Sequence, residues 1–402
     1  MESGQDNPSR LWFVDNVRVF LTVLVIAHHA GQPYGPTGGT WLVFNPERAD
    51  ILGAFFATNA AFFMGLFFLI SGYFMPGAYA RKGTKIFLQE RFLRLGIPIL
   101  FFALLVFPPV FYLAEPREES FGQFLVQVYL KQPQMQAGHL WFLMHLLVYA
   151  VCYALWRGII RRNARSESQR KQAFPDHWLI LVYLVLLSGI SFITRIRYPI
   201  DTWTDVLGIP TEVAHLPQYL SLFAIGIIAY HHDWLRRLPR QQGFIWFGVG
   251  LGAVLLRYVY ALGGESWFPT RIVASGGWNW RSLIWSFWET TICIGLCIGI
   301  LVLFREYFNR QGRWEKLLSA NAYTVYLIHV LIVIALHDWV CPAAHFTDAQ
   351  VFGGNADRSA PVFPIESLPP QAAACQSNSL AARLMHFIPH PPFLQLQRPK
   401  SK

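Results

Sequence analysis

Apolar residues cluster into nine long windows along the chain, and short polar segments separate them. Each window holds about 15 to 25 predominantly apolar residues, which suits an α-helix that crosses the ~30 Å hydrocarbon core of a bilayer. The windows span approximately residues 12–30, 51–75, 95–114, 139–156, 178–195, 216–231, 244–262, 283–304 and 317–340. This pattern predicts an all-α fold, a polytopic transmembrane helical bundle with nine spans.

The connecting segments alternate in charge. The even-numbered segments carry most of the Lys and Arg, at residues 81–94, 157–171, 236–240 and 305–316, whereas the odd-numbered segments are mainly acidic. Basic residues near helix ends are retained on the cytoplasmic side of a membrane. The amino terminus is therefore predicted to be cytoplasmic.

Composition agrees with a membrane protein, because 54% of the residues are hydrophobic and only 14% are charged. The net charge of +10 raises the question of nucleic acid, but the basic residues occur in short clusters between apolar runs rather than on one face. We expect no nucleic-acid partner. The predicted location is a multi-pass position in a lipid bilayer, the plasma (inner) membrane.

Neither a metal site nor a cleaved leader is expected. Three of the five cysteines, Cys152, Cys293 and Cys297, lie inside apolar windows, and no pair has the spacing and histidine partners of a zinc site. Asp15 and Arg18 interrupt the first window, and no small-residue cleavage site follows it. The first span is expected to remain in the mature protein.

The composition changes after Val340. Residues 342–402 are rich in Pro, Ala, Ser and Gln and contain no window that could span a bilayer. We therefore expect a transmembrane domain over residues 1–341 and a disordered or aberrant tail over 342–402. Cys341 and Cys375 would lie outside if nine spans are present, where they could pair or remain thiols.

The first span carries unusual polar residues. Arg18 and His29 are eleven positions apart, which returns them to within about 20° of the same helix face, about 16 Å apart along the axis. His28 points about 80° away from that face. His29 could serve as a base at a depth different from that of Arg18. The alternative is a histidine pair that simply faces water at the end of a helix.

Other spans also contain polar residues, and each has two interpretations. Glu289 could form a structural pair with Arg257, which we favour, or line a path for an acceptor. His139 and Trp141 begin the fourth span, where they could contact an acceptor, although a tryptophan there could equally be an interfacial anchor.

The ninth span brings together several hydrogen-bonding groups. Tyr326 and His329 are three positions apart and therefore neighbours on one helix. Hydrogen bonds between helices explain these residues as well as acceptor-side chemistry does.

Five blocks of the sequence resemble one known family. They are DNVRVFLTVLVIAHH at 15–29, FFLISGYF at 67–74, RKGTKIFLQERFLRLGIP at 81–98, GHLWFL at 138–143 and SANAYTVYLIH at 319–329. In this order and at helix ends, they resemble the integral-membrane acyltransferase-3 family, which includes sugar O-acetyltransferases and proteins that succinylate glucans. Members usually have a tenth helix, which the sequence after Val340 does not supply.

The resemblance implies a membrane enzyme that moves an acetyl or succinyl group from a cytoplasmic acyl-CoA to a hydroxyl of a carbohydrate or cell-envelope acceptor. Acyl-CoA would be a co-substrate, with no bound cofactor. His29 matches the family's catalytic histidine, and Arg18, Arg91 and Arg94 match its arginines, which would suit donor phosphates. For Arg91 and Arg94 the alternative is anchoring at the cytoplasmic interface.

The reaction route and the class of protein are both open at this stage. His29 could activate the acceptor for direct attack on the thioester, or an acyl-histidine could form first. Two other protein classes are a transporter of a small polar or anionic solute and a non-catalytic scaffold. A transporter predicts internal repeats, and a scaffold leaves the arginines and His29 unexplained.

Overall fold

The computed structural model describes residues 10–36, 49–114, 118–131, 135–160, 171–267 and 275–340. The predicted tail, residues 342–402, lies outside these ranges, as do Cys341 and Cys375.

The described residues are almost entirely helical, which confirms the all-α bundle. The α-helices are α1 Trp12–Gly31, α2 Leu52–Arg91, α3 Ile97–Phe101, α4 Phe107–Ala114, α5 Phe121–Gln123, α6 Trp141–Ile160, α7 His177–Arg197, α8 Leu216–His232, α9 Trp234–Arg237, α10 Arg240–Leu262, α11 Trp280–Tyr307 and α12 Arg313–Val340. Two short strands, β1 Trp203–Val206 and β2 Ile209–Glu212, lie between α7 and α8.

Among these residues, eight helical stretches are long and apolar enough to cross a membrane, and they account for all nine predicted windows. The second and third windows belong to one helical run of 63 residues, Leu52–Ala114, in which π-helical turns join α2, α3 and α4. At 1.5 Å per residue a straight helix of this length would measure about 95 Å, which is far longer than a single crossing of a ~30 Å core requires. The run bends at Gly83, which has φ of 70° and ψ of 172°. Residues 81–94, predicted to form a loop, are therefore helical on both sides of one non-helical residue, Gly83.

Glycines on both helices allow α2 and α8 to approach closely. A Cβ on Gly72 of α2 would lie 2.1 Å from the backbone oxygen of Phe223 in α8, and one on Gly226 would lie 2.1 Å from the oxygen of Leu69. Small residues at such crossings are typical of helix packing in membranes, where close van der Waals contact replaces the hydrophobic effect.

Helices α1 and α12 run parallel to one another. At one end the Asn16 side chain donates hydrogen bonds to the backbone oxygens of Phe308 and Arg310, at 2.6 and 2.8 Å, just before α12 begins. At the other end the ring of Tyr34 lies 5.1 Å from the ring of His337. Residues at equal distances along the two helices therefore face each other.

The strands form an antiparallel hairpin in a segment predicted as a loop, with Trp203 directly opposite Glu212. Its two-residue turn has positive φ at both Leu207 (57°) and Gly208 (80°), as in the type I′ turns that suit the twist of a hairpin. The buried Thr211 hydroxyl lies 3.2 Å from Nε2 of His145 in α6, which attaches the hairpin to the bundle.

Candidate active site

His29 of α1 meets His329 of α12 across the parallel helix pair. Nδ1 of His29 lies 2.7 Å from Nε2 of His329, and the two rings are nearly parallel, with 6° between their planes. His29 is partly accessible, whereas His329 is only 3% exposed.

The hydrogen bonds determine which nitrogens carry protons when both imidazoles are neutral. Nδ1 of His329 lies 2.7 Å from the backbone oxygen of Tyr326, and a carbonyl oxygen can only accept, so this Nδ1 carries the hydrogen. Nε2 of His329 is then an acceptor, and Nδ1 of His29 must donate to it. Nε2 of His29 is left with the lone pair. The arrangement makes that nitrogen a base with a fixed direction.

His139 completes this group. Its Nε2 donates to the backbone oxygen of Leu327 at 3.1 Å, and its ring centre lies 5.1 Å from that of His329. The Tyr326 hydroxyl donates to the backbone oxygen of His139 at 2.5 Å. His29, His139, Tyr326 and His329, which we call the histidine cluster, therefore converge from three helical elements.

One nitrogen in the cluster is buried and has no hydrogen-bond partner among the described residues. This is Nδ1 of His139. Because Nε2 carries the hydrogen, Nδ1 of His139 can only accept a hydrogen bond. A substrate group that binds to it must therefore be a donor, such as a hydroxyl or an amide.

His28 packs against α2 rather than against the members of this cluster, although its ring centre is 5.9 Å from that of His29. It is 6% exposed, and its ring packs 4.9 Å from Phe56 and 5.3 Å from Phe63 of α2. Its place in an aromatic pocket is typical of a structural residue.

The three arginines that match the family lie near one another at the opposite end of α1 from His29. Arg94 is close enough to both Arg18 and Arg91 for their positive charges to repel. The Arg94 guanidinium lies 5.1 Å from the ring centre of Tyr323 in α12, and the Tyr323 hydroxyl donates to the Arg94 backbone oxygen. Arg18 forms a long ion pair, 3.8 Å, with Asp15. Three cations with two nearby carboxylates, Asp15 and Glu90, leave an excess of positive charge that suits an anion.

A cavity of about 230 Å³ opens at the same end of α1 but on the helix face opposite Arg18. Its lining includes Phe20, Phe304, Phe308 and Arg310. The cavity and the arginine group are therefore separate features.

Glu289 does not belong to the histidine cluster, and the prediction that it pairs with Arg257 is wrong. Glu289 instead binds Arg195 of α7 at 2.6 Å and accepts a hydrogen bond from Nε2 of His215. The guanidinium of Arg257 lies 5.3 Å from the Trp285 ring centre. The sequence could not indicate this partner, because Arg195 and Glu289 are far apart in the chain and no periodic pattern links them.

His215 is held between two carboxylates. Its Nδ1 lies 2.8 Å from Glu212, and its Nε2 binds Glu289. Since carboxylates only accept, both ring nitrogens carry hydrogens and the ring is an imidazolium. Arg195, Glu212, His215 and Glu289, which we call the charge network, combine two positive and two negative groups. Buried charges persist when they are paired and hydrogen-bonded in this way.

Trp141 also lies apart from the histidine cluster, although only one residue separates it from His139. Its ring stacks on Tyr219 of α8, with centres 5.7 Å apart, and meets Trp203 of the hairpin at 5.5 Å. Tyr219 in turn stacks on His215 at 5.9 Å. The predicted acceptor-side residues therefore divide between two neighbouring groups.

The fold and site together define an integral-membrane protein with an oriented histidine base among its spanning helices. The family model described as "Acyltransferase domain" matches residues 11–358, and the chain belongs to this acyltransferase-3 family. It is a membrane acyltransferase. This membership decides against the transporter and scaffold alternatives.

Curated relatives carry the name "Glucans biosynthesis protein C". The proteins from Escherichia coli O139:H28 (strain E24377A / ETEC) and from strain K12 are 29% and 28% identical over 269 residues. Each alignment covers 64% of this chain and 68% of the relative. No solved structure matches the chain.

Proposed function

We propose that the protein transfers an acyl group from acyl-CoA to a hydroxyl of a carbohydrate acceptor, with His29 as the general base, in the plasma (inner) membrane. The observation that carries this proposal is the hydrogen-bond chain from the Tyr326 carbonyl through His329 to His29, which leaves Nε2 of His29 as the basic nitrogen.

The donor would bind at the arginine group. Guanidinium groups form charge-assisted hydrogen bonds with phosphates, and Arg18, Arg91 and Arg94 bring three of them to one end of α1. Arg18 is about 16 Å from His29 along the helix axis, so the phosphates and the reacting thioester must be separated by a long arm. The pantetheine arm of coenzyme A has that extended shape.

The chemical step needs a base that takes the proton of the acceptor hydroxyl and passes it to the leaving thiolate. Nε2 of His29 takes the hydroxyl proton as the acceptor oxygen bonds to the thioester carbonyl carbon. The bond from that carbon to sulfur then breaks, and the imidazolium returns the proton to the departing thiolate. The His29 imidazolium keeps its hydrogen bond to His329, which would stabilise the charged form.

The acceptor assignment is supported by the family and by the name of the curated relatives, which refers to glucans. His139 is only 9% exposed, and its buried Nδ1 can accept a hydrogen bond. A carbohydrate hydroxyl is a suitable donor for it.

The test uses purified protein in nanodiscs, acyl-CoA with a labelled acyl group and a glucan oligosaccharide. His29→Ala should lower acylation by at least about 100-fold, since general-base catalysis contributes roughly 10²–10⁴. His177→Ala, at an exposed histidine at the start of α7, is the control and should match the wild type. Wild-type acylation by correctly inserted His29→Ala protein would end the proposal.

A further inference from the structure

The hairpin is held rigidly against the bundle at a point beside the histidine cluster. Glu212 lies directly opposite Trp203 in the hairpin register. One oxygen of Glu212 accepts from the backbone N–H of Asp201 at 2.9 Å, and the other binds His215. The charge network therefore fixes the position of the strand that carries Trp203.

Trp203 and Trp141 form an aromatic corner at this point. Their ring planes meet at 72°, with centres 5.5 Å apart. Trp203 is 37% exposed and Trp141 is partly exposed, so both rings have accessible surface. Tyr219 supports Trp141 from behind by stacking on it.

The corner is close to the proposed reaction centre. The ring centre of Phe142 lies 6.3 Å from that of Trp141 and 6.2 Å from that of Tyr326, so one aromatic ring separates the corner from the histidine cluster. His139 contacts His329, which orients His29. A chain molecule with one unit at His29 could reach the corner with its next units.

From these observations, and resting on the function proposed above, we infer that Trp141 and Trp203 form a subsite that binds the sugar units flanking the reacting unit of an oligosaccharide acceptor. Indole rings offer a large, rigid, apolar surface on which the C–H face of a sugar ring packs. The carboxylates of Asp201 and Asp205, at the base and turn of the hairpin, would accept hydrogen bonds from its hydroxyls.

An anchoring role at the membrane interface is the competing explanation for Trp203. Anchors need only reach the headgroup region. Trp203 instead packs on a second tryptophan, and its strand is held in place by the charge network. Such rigid mutual placement favours recognition of a shaped ligand.

The test measures binding of a glucan oligosaccharide to His29→Ala protein in nanodiscs, so that turnover does not interfere. Adding Trp203→Ala should weaken binding about tenfold, the scale of one aromatic contact. Trp203→Phe should recover part of the loss. Trp278→Ala is the matched control, because Trp278 is 79% exposed and stacks on Phe192 elsewhere, and it should bind normally.

In the active protein, Trp203→Ala should raise KM for the oligosaccharide with little change in kcat, and should not affect a monosaccharide acceptor. Unchanged oligosaccharide binding by Trp203→Ala, or an equal loss in Trp278→Ala, would overturn the subsite. If no carbohydrate is acylated but Trp203-dependent binding persists, the subsite stands and the proposed function fails.

Discussion

At the scale of single residues, His29 obtains its orientation from a side chain on another helix. The sequence alone predicts that His29 and Arg18 share a face of α1 and that His28 does not, because helical periodicity decides this. It cannot predict that His329 receives the His29 hydrogen bond, since that contact joins residues 300 positions apart. From the sequence, Tyr326 and His329 are neighbours on one helix and candidates for the acceptor side, with no indication that either contacts His29.

In the function proposed above, His329 acts as a positioning residue, and its effect can be measured. His329→Leu should lower kcat about 10- to 100-fold with KM nearly unchanged, the range seen when a group that orients a functional histidine is removed. His329→Gln should retain more activity, because its amide oxygen can accept from Nδ1 of His29. A plot of kcat against pH should also shift in His329→Leu. Equal activity and equal pH profiles in the two variants would contradict this role.

The arginine group allows a test that separates donor binding from membrane anchoring. Arg94→Gln should raise KM for acyl-CoA roughly tenfold or more, because a hydrogen bond to a charged group contributes about 1.5–3 kcal/mol. The same variant should use a short acyl-pantetheine donor, which lacks the nucleotide phosphates, as well as the wild type does.

Arg81→Gln is the control for this measurement. Arg81 is an exposed residue of the same basic segment, and its loss should leave KM for acyl-CoA unchanged. If both variants lose protein from the membrane and neither changes KM, the arginines act as anchors.

At the scale of elements, apolar windows predicted the spans but not how they are joined. Between the second and third windows, residues 81–91 include Arg, Lys, Gln and Glu, which are good helix formers, so this polar segment is helical on both sides of the break at Gly83. Gly83 supplies the bend that a separate loop would have provided. The hairpin was also missed, because its strands have only four residues each and its attachment depends on Thr211 and Glu212 finding partners in other helices.

Two carboxyl groups at the hairpin, Glu212 and Asp201, should affect the pH dependence of stability in opposite directions. Burial alone would raise the pKa of Glu212, but the charge and hydrogen bond of His215 outweigh it and hold this pKa below its ordinary value. When the pKa is depressed in the folded state, ionisation stabilises the fold above the unfolded-state pKa, and this stabilisation is lost as the pH falls through the folded-state pKa. The stabilisation from Glu212 should therefore be complete above about pH 4.5 and decrease at lower pH.

Asp201 behaves in the opposite way. Desolvation and then the negative charge of Glu212 raise the pKa of Asp201 to about 6, so its ionisation disfavours the fold at neutral pH. Asp201 is exposed, so Asp201→Asn should raise the unfolding temperature at pH 7.5 only slightly, and the gain should shrink as the pH falls below 6, where the wild-type carboxyl is protonated. A gain that is constant from pH 7.5 to pH 4.5 would contradict the raised pKa.

At the scale of the whole molecule, the groups described above follow one another along the bundle. The arginine group lies near the start of α1, the histidine cluster about 16 Å further along, and the aromatic corner beside the start of α6. Composition and hydropathy predicted the membrane bundle, and motifs predicted the two ends of this path. The charge network and the corner could not be predicted, because they assemble from residues of α6, α7, the hairpin, α8 and α11, and none of these segments carries a pattern that specifies its partners.

The parallel pairing of α1 and α12 has a mechanical consequence for the enzyme. Only 22% of the apolar stretch of α12 is buried in the bundle, compared with 67% for α11, so α12 is a peripheral helix with much of its surface toward lipid. Peripheral helices respond to hydrophobic mismatch by tilting. A change of tilt would shift His329 relative to His29 and alter the hydrogen bond that orients the proposed base. The rate of acyl transfer should therefore depend on the thickness of the surrounding bilayer.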